Sequence, residues 1–471
     1  MKFDSPIFFT FLSIFIIIYF KSIKSKNFQN IFILAGSIFF YATWDILFVF
    51  ILLYNILVGF LFGKFSKNKK DSFFTIGIII LLIPLFFYKY FYFILTNLSF
   101  LLSINIEYQS YNFLLPLGIS FYTFHGISYL IDLKNQKYSV EKSFIDYAVF
   151  ISYFPLLLAG PIERSNTLLP QLKTFRVFNY DNAVSGTRLI LFGLWKKVFI
   201  SNSLALFNDK IFNNYNNESS LFLFIGVIGF MFQVYSDFSG YTDIARGTSR
   251  ILGIELIKNF NFPFFSKSIP EYWSRWHISL SSWLNDYIFN PLAIRLRQYG
   301  RIGIIISIFV TFLVSGIWHG ASWNFVFWGL LFALSYLPYT IFQSKLSFTK
   351  IKSSNNYTIN LLNIFYFYTI LFFTFLFFRF PNINDSFIYL KKLFYFNNTN
   401  YLHNFSNIQL ILFFIQIISI LLVDYSIFSK NIFFILFYKN RFFRYTLYTL
   451  FSLMILIFIN RNGAQFIYFQ F

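Results

Sequence analysis

Residues 46–62 read ILFVFILLYNILVGFLF, a run of seventeen residues that contains no charge. A helix needs about 20 predominantly apolar residues, with a range of about 17–25, to cross the hydrocarbon core of a bilayer. The run therefore predicts a membrane-spanning helix, and it decides the fold class because similar runs recur along the chain. They occupy residues 6–20, 31–41, 73–95, 115–133, 189–206, 221–238, 302–317, 323–341, 361–378, 408–422 and 442–459. We expect an all-α integral membrane protein with roughly eleven to thirteen transmembrane helices.

The composition supports this class and excludes others. Of the 471 residues, 57% are hydrophobic and only 12% are charged, whereas a soluble domain carries roughly a quarter charged residues. The same figures exclude a disordered chain, which combines low hydrophobicity with high net charge. The chain has no Cys, which excludes disulfides, zinc–thiolate sites and a Cys nucleophile. We expect no metal site.

The net charge of +20 indicates the orientation of the chain. The lysines cluster in short loops between apolar runs, as in cytoplasmic loops beside an anionic leaflet, so the expected partner is the lipid bilayer and not nucleic acid. Basic loops at residues 21–26 and 64–70 flank a helical hairpin and predict an extracytoplasmic N-terminus. Because no internal repeat or soluble segment of useful size is visible, residues 1–471 are expected to form a single polytopic membrane domain.

Two segments rich in Pro and Gly predict broken or re-entrant helices. Residues 115–132 begin with Leu-Pro-Leu-Gly, and residues 154–164 hold two prolines around a run that is too short to cross the bilayer. Irregular backbone at membrane depth is tolerated only where protein or water satisfies its polar groups. The alternative for the first segment is a kinked span, and its His125 is interpreted as a packing histidine.

The third polar stretch contains the carboxylate Asp237. Asp243, Arg246 and Arg250 are spaced i, i+3 and i+7, so they are predicted to share a helical face and to pair. Asp237 has no such local partner, and a buried carboxylate must find a cation or hydrogen-bond donors elsewhere. We interpret Asp237 as a substrate-binding candidate, with a structural ion pair as the alternative.

The fourth polar stretch begins with Ser268 and Glu271, which form a capping-box pattern. One continuous amphipathic helix is expected to follow, with its tryptophans on one face, where it lies in the membrane interface. Glu271 and Arg275 are spaced for an ion pair. His277 lies beside the tryptophan face, and a simple interfacial histidine is the alternative to a functional one.

The most concentrated signal is SGIWHGASWN at residues 315–324. Gly316 and Gly320 predict close approach of another helix, and the same lack of bulk is expected to leave space for a substrate beside His319. Ser315, Ser322 and Trp323 are expected on the side of His319 by helical spacing. A histidine inside a span is costly unless it is paired, and its ordinary pKa of about 6.5 suits it to accept a proton near neutral pH.

Six stretches together resemble the membrane-bound O-acyltransferase family, in its bacterial alginate O-acetylase-like and peptidoglycan O-acetyltransferase-like branch. They are LPLGISFYTFHGISYLID (115–132), FPLLLAGPIERSNTLLPQL (154–172), DFSGYTDIA (237–245), NFNFPFFSKSIPEYWSRWHISLSSWLNDYIFNPL (259–292), WHGASWNFVFWG (318–329) and the terminal FIYFQF (466–471). The resemblance covers nearly the whole chain, and the stretches occur in matching order.

The resemblance implies that His277 and His319 are the two characteristic histidines and that His319 is catalytic. It implies re-entrant and interfacial helices around a central funnel in the bacterial plasma (inner) membrane. The acyl donor would be a cytoplasmic thioester, acetyl-CoA or another, which is a substrate and not a bound cofactor. A separate exported acetyltransferase is the expected partner. The acceptor would be an extracytoplasmic polysaccharide: peptidoglycan, an alginate-like polymer or another surface glycan.

Acyl transfer to a hydroxyl needs a base for the hydroxyl proton and donors for the developing oxyanion. Trp318, Asn324 and His277 are the predicted donors, so His277 joins His319 as a catalytic candidate. The substrate-binding candidates are Asp237, Trp318, Asn324 and Ser315. The chain departs from the family where Ala293 to Arg297 replaces a frequent Gly-Gly-Asn-Arg turn and where His125 replaces a common Gln. The first departure lies where the resemblance implies contact with the cytoplasmic donor or a partner.

Two alternative functions stay open. Within the family, the chain is compatible with D-alanyl transfer to teichoic acid from a carrier protein. Outside it, a polytopic transporter or glycan flippase would use His319 as a proton relay. The missing internal repeat is the feature against the second alternative.

Overall fold

The computed structural model describes residues 1–22, 24–103, 114–342, 357–395, 405–429 and 440–459, and within these ranges the regular structure is helical. The first helices are α1 (Pro6–Lys21), α2 (Lys26–Ala42), α3 (Ile46–Lys64), α4 (Asp71–Leu102), α5 (Ile119–Lys134), α6 (Phe144–Ser152), α7 (Phe154–Leu157), α8 (Ser165–Leu172), α9 (Tyr180–Asn213) and α10 (Ser220–Ile251). The later helices are α11 (Ile269–Arg275), α12 (Ile278–Leu284), α13 (Asn290–Arg295), α14 (Gly300–His319), α15 (Trp323–Ser335), α16 (Leu337–Phe342), α17 (Tyr357–Arg379), α18 (Ile383–Phe394), α19 (Asn407–Ser429) and α20 (Arg441–Phe458). The all-α membrane class is confirmed.

Nine helices in the described ranges are long and apolar enough to cross a membrane. The other three predicted spans also form helices, but α1, α2 and α5 have only 16, 17 and 16 residues. Length and composition alone therefore give nine crossings, and the higher number stays a prediction.

Helix boundaries follow the capping and glycine signals in the sequence. The Asp45 side chain accepts a hydrogen bond from the Leu47 N–H at 2.8 Å and so starts α3 after a break from α2. Gly118 has φ +74°, and a Cβ there would collide with the Leu157 carbonyl oxygen, so this turn requires glycine. Helix α5 begins only at Ile119, which confirms a broken start in this segment.

Two long helices contain π-helical segments, at Phe86–Tyr90 in α4 and at Trp195–Asn202 in α9. Such segments are rare and are frequently found at functional sites. The segment in α9 bears on the site below because it holds two consecutive buried lysines.

The chain divides into two compact units. One comprises Met1–Ile190 with Ile244–Ile257, and the other comprises Leu191–Asp243 with Lys258–Phe471. All six predicted site residues lie in the second unit. The single-domain organisation and the central funnel stay predictions.

Candidate active site

His319 is the last residue of α14. Gly320 is extended, and α15 begins at Trp323, so α14 and α15 form a helical hairpin. A Cβ on Gly316 would collide with the Phe325 carbonyl oxygen. Close approach of another helix to this glycine is therefore confirmed, and the partner is the next helix in the chain.

One expectation about the surroundings of His319 is wrong, and another stays a prediction. A Cβ on Gly320 would collide with the Phe325 ring, so this glycine packs against α15, and space for a substrate beside His319 stays a prediction. Ser322 and Trp323 do not share a helical face with His319, because α14 ends at this residue and Trp323 begins the next helix. The glycines serve the packing of the hairpin.

Aromatic rings enclose the His319 imidazole, which is 6% exposed. The centroids of Trp328 and Phe378 lie 4.8 and 5.2 Å from the imidazole centroid, both edge-on. A cavity of about 20 Å³ adjoins the imidazole, enough for about one water molecule. The residues that line it with His319 are Val234, Tyr272, Trp273, Trp276, Trp328, Phe332, Phe375 and Phe378.

The expected single amphipathic helix around His277 is wrong, because the chain breaks there. Helix α11 ends at Arg275, and α12 begins at Ile278. His277 takes a left-handed conformation with φ +43°, which is uncommon for a residue with a Cβ. The tryptophans of this stretch are buried inside the protein and not spread along an interface. The Glu271–Arg275 ion pair is confirmed at 2.9 Å.

Asn259 holds His277 in place and fixes its tautomer. The Asn259 Oδ1 accepts hydrogen bonds from the backbone N–H and hydroxyl of Ser279, at 3.2 and 2.9 Å. The same oxygen lies 3.2 Å from His277 Nδ1, so Nδ1 carries the proton and Nε2 is the basic nitrogen. Burial lowers the pKa of His277 to about 3, and the ring is therefore neutral near pH 7.

Trp318 brings the two histidines together. Its ring centroid lies 6.0 Å from that of His277 and 4.9 Å from that of His319. The predicted residues His277, Trp318 and His319 thus form one continuous cluster of rings.

Asp237 forms a buried ion pair. Its Oδ1 lies 2.5 Å from Lys197 Nζ, and the two side chains are 3% and 7% exposed. The next residue, Phe238, packs edge-on against His277, with 4.6 Å between centroids. The structure thus supports the alternative that Asp237 forms a structural ion pair. Phe238 connects this ion pair to the histidine cluster.

The predicted pairing of Asp243 with Arg250 is wrong, and its pairing with Arg246 stays a prediction. Asp243 pairs with Lys196 at 2.9 Å. Arg250 instead forms a close ion pair with Glu255, because the chain turns after α10 and brings this carboxylate back to the helix end.

Ser315 and Asn324 have different surroundings. The Ser315 hydroxyl is buried and lacks a hydrogen-bond partner among the described residues. The Asn324 amide nitrogen donates to the Phe380 carbonyl oxygen, and its Oδ1 accepts from Ser386 at 3.5 Å. Asn324 therefore fixes the chain that follows α17, and its oxyanion role stays a prediction.

Sequence reasoning missed Lys196, Lys197 and Asn259. Two consecutive lysines inside the apolar run 189–206 were a usable signal, because intramembrane charges are expensive and pair with one another. Asn259 carried no comparable signal. Its role depends on the left-handed turn at His277, which helical spacing did not predict.

Glu163, in the second Pro-rich segment, is buried in the first unit. Its Oε1 accepts from the Ile257 N–H at 2.7 Å, and its Oε2 accepts from the Thr167 hydroxyl at 2.9 Å. Its own N–H donates to His125 Nε2 at 3.0 Å, so the two proline-containing segments are joined and the packing role of His125 is supported. Burial raises the pKa of Glu163 to about 7.

Glu163 is expected to make the stability of the protein depend on pH. Between its usual pKa of 4.5 and about 7, the folded state keeps a proton that the unfolded chain has released. Stability therefore rises as the pH falls through this window and is lost as the pH rises, by about 3 kcal/mol in total. The change in stability is measured by thermal unfolding of the purified full chain at about pH 5 and about pH 8. Glu163→Gln should flatten the profile; an unchanged profile in this variant would contradict the assignment.

The sequence was compared with known proteins. Residues 136–380, slightly more than half of the chain, match the family model described as MBOAT, membrane-bound O-acyltransferase family. The chain is 35% identical over 342 residues to "Probable alginate O-acetylase AlgI" of Azotobacter vinelandii, covering 70% of this chain and 66% of that protein. It is 31% identical over 370 residues to "Peptidoglycan O-acetyltransferase" of Helicobacter pylori, covering 71% and 69%.

A third relative is more distant. The chain is 29% identical over 280 residues to "Teichoic acid D-alanyltransferase" of Bacillus subtilis, covering 56% of this chain and 69% of that protein. All six predicted site residues lie within the matched segment 136–380, whereas FIYFQF lies outside both this segment and the described residues. The chain spans slightly less than two thirds of the length of the Azotobacter vinelandii relative.

Proposed function

Because the chain belongs to the membrane-bound O-acyltransferase family, we propose that it is a membrane O-acyltransferase, of the O-acetyltransferase type, that acts on an extracytoplasmic polysaccharide. The observation that carries the proposal is the cluster of His277, Trp318 and His319 inside the matched segment. Higher identity to the O-acetyltransferases than to the D-alanyltransferases favours acetate as the acyl group.

His319 is the proposed base. It takes the proton of the acceptor hydroxyl as the hydroxyl oxygen attacks the thioester carbonyl carbon. The carbon–sulfur bond then breaks, and the thiolate leaves and takes up a proton. His277 is the less suitable base because its pKa is low. With Nδ1 donating to Asn259, its Nε2 carries no proton, so its proposed role is to accept a hydrogen bond from a reacting hydroxyl, and the predicted donation to the oxyanion does not fit this tautomer. The indole N–H of Trp318 is a proposed donor to the oxyanion. Direct transfer and an acyl-His intermediate remain alternatives.

The donor is proposed to be a cytoplasmic acyl thioester such as acetyl-CoA, and the acceptor to approach from the other side of the membrane. This agrees with the basic loops, which indicate the cytoplasmic side, and with an extracytoplasmic N-terminus in a bacterial plasma membrane. A separate exported acetyltransferase is the proposed partner that completes delivery to the polysaccharide.

A deletion strain complemented with the full chain tests the proposal. Mild alkaline hydrolysis of the envelope releases ester-bound groups, and chromatography then quantifies acetate and D-alanine. We expect base-labile acetate to disappear on deletion and to return on complementation. Loss of D-alanine alone would instead assign D-alanyl transfer, and lost glycan export with normal acetate per exported chain would assign transport.

A further inference from the structure

The loops between α3 and α4 and between α5 and α6, with the adjoining helix ends, line an open pocket of about 780 Å³ in the first unit. This volume is in the range of about 300–1,000 Å³ that is usual for ligand sites. Six lysines dominate the lining, and we call the site the lysine pocket. They are Lys64, Lys67, Lys69, Lys134, Lys137 and Lys142.

Most of this positive charge has no acidic counterpart. The acidic residue in the lining is Glu141, and it already pairs with Lys173 at 2.7 Å. Lys134 pairs with Asp71 at 2.9 Å. The other five lysines form no ion pair with any residue in the part of the chain that the structure describes. Five ammonium groups around one pocket repel each other, so the pocket favours a ligand with more than one negative charge.

Defined turns hold the lysines in position. The Ser66 hydroxyl donates to the Gly63 carbonyl oxygen at 2.6 Å, and the Lys137 N–H donates to the Asp132 carbonyl oxygen at 2.8 Å. Asn68 and Gln136 adopt left-handed conformations with φ 60° and 55°, which turn each loop sharply. The pocket is therefore a formed feature of the fold and not a set of unrelated side chains.

The pocket lies where two candidate spans leave the membrane. Helix α3 ends at Lys64 and α4 begins at Asp71, so the lysines are expected at the level of the lipid headgroups. From there α4 runs into the bilayer with exposed isoleucines at i, i+3 and i+7: Ile76, Ile79 and Ile83. Basic pockets between transmembrane helices bind the headgroups of anionic phospholipids.

We propose that the lysine pocket binds the two phosphates of an anionic phospholipid headgroup of the diphosphatidylglycerol (cardiolipin) type. The acyl chains then lie along the exposed face of α4. A soluble polyphosphate has the same phosphate chemistry, but it has no acyl chains that could contact this apolar face and strengthen binding. None of the residues that line the lysine pocket belongs to the proposed acyl-transfer cluster.

Lipid titration of the full chain, followed by native mass spectrometry, tests the proposal. The pocket variant is Lys67→Gln/Lys69→Gln/Lys137→Gln. The control, Lys21→Gln/Lys70→Gln/Lys267→Gln, removes the same charge from exposed lysines outside the pocket. Each lysine near anionic lipid contributes about fivefold in affinity, so the apparent Kd for cardiolipin should rise about a hundredfold in the pocket variant. The control should bind like the wild type.

Three results would overturn the proposal. They are an equal loss of affinity in both triple variants, equally tight binding of phosphatidylcholine, and displacement of cardiolipin by inorganic pyrophosphate at matched affinity. The last would identify a site for a soluble polyphosphate. Because a triple substitution can disturb folding, Lys137→Gln alone is the second variant, with an expected rise of about fivefold in Kd.

Discussion

His319→Ala is expected to lower base-labile acetate transfer to envelope glycans about a thousandfold, while the protein remains folded and inserted. General acid–base catalysis contributes about a hundredfold to ten-thousandfold, and the alanine removes the proposed base entirely. The loss is expected in the catalytic rate more than in substrate affinity, because His319 lies in an enclosure of aromatic rings that the substitution leaves in place. Hydrolysis of purified envelope and quantification of acetate measure the effect.

The matched control is His125→Gln. A glutamine carbonyl can accept the hydrogen bond that His125 Nε2 now accepts from the Glu163 N–H, so this variant should keep its activity. Unchanged acetate in His319→Ala would refute the catalytic assignment. Glycan export measured in the same strain separates the transporter alternative, which requires lost export with normal acetate on each exported chain.

Lys197→Met is expected to destabilise the protein by about 3–5 kcal/mol. The substitution removes the buried cation that pairs with Asp237 and leaves the buried carboxylate without this counterion. The midpoint of thermal unfolding in detergent should fall by roughly 5–10 °C.

Lys134→Met provides the comparison. It breaks an ion pair with a similar N–O distance, 2.9 Å, to an Asp71 side chain that is 80% exposed, and it should cost less than about 1 kcal/mol. The double variant Lys197→Met/Asp237→Leu should recover most of the lost stability, because it leaves no buried charge unpaired. Equal destabilisation by Lys197→Met and Lys134→Met would show that burial of the pair does not matter.

Hydrophobic patterning predicted the fold class because length and polarity alone decide whether a helix can cross a bilayer. The α3 run is such a case, and the structure begins α3 at Ile46 as expected. The break in the chain before α5 was also predictable, because its sequence contains the glycine Gly118. What patterning did not predict was that the apolar run 189–206 lies inside one helix of 34 residues that contains a π-helical segment.

The site was predictable in its residues and not in its geometry. His277 and His319 stand out because histidines are rare in this chain, four in all, and the structure joins them through Trp318. The break at His277 was not predictable from helical spacing, because Asn259, distant in sequence, stabilises the left-handed turn. The role of Asp237 could not be predicted without its partner Lys197. Pairing between helices is a tertiary property, and no local sequence pattern contains it.

The hairpin of α14 and α15 has a consequence for the order in which the site is assembled. Its contacts are local in sequence, so closing it requires little loss of chain entropy, and it can form as soon as both helices have been synthesised. His319 then already lies against Trp328. Phe378 can contact the imidazole only after α17 has been synthesised. The aromatic enclosure is therefore completed late in biosynthesis, around a histidine that is already in place.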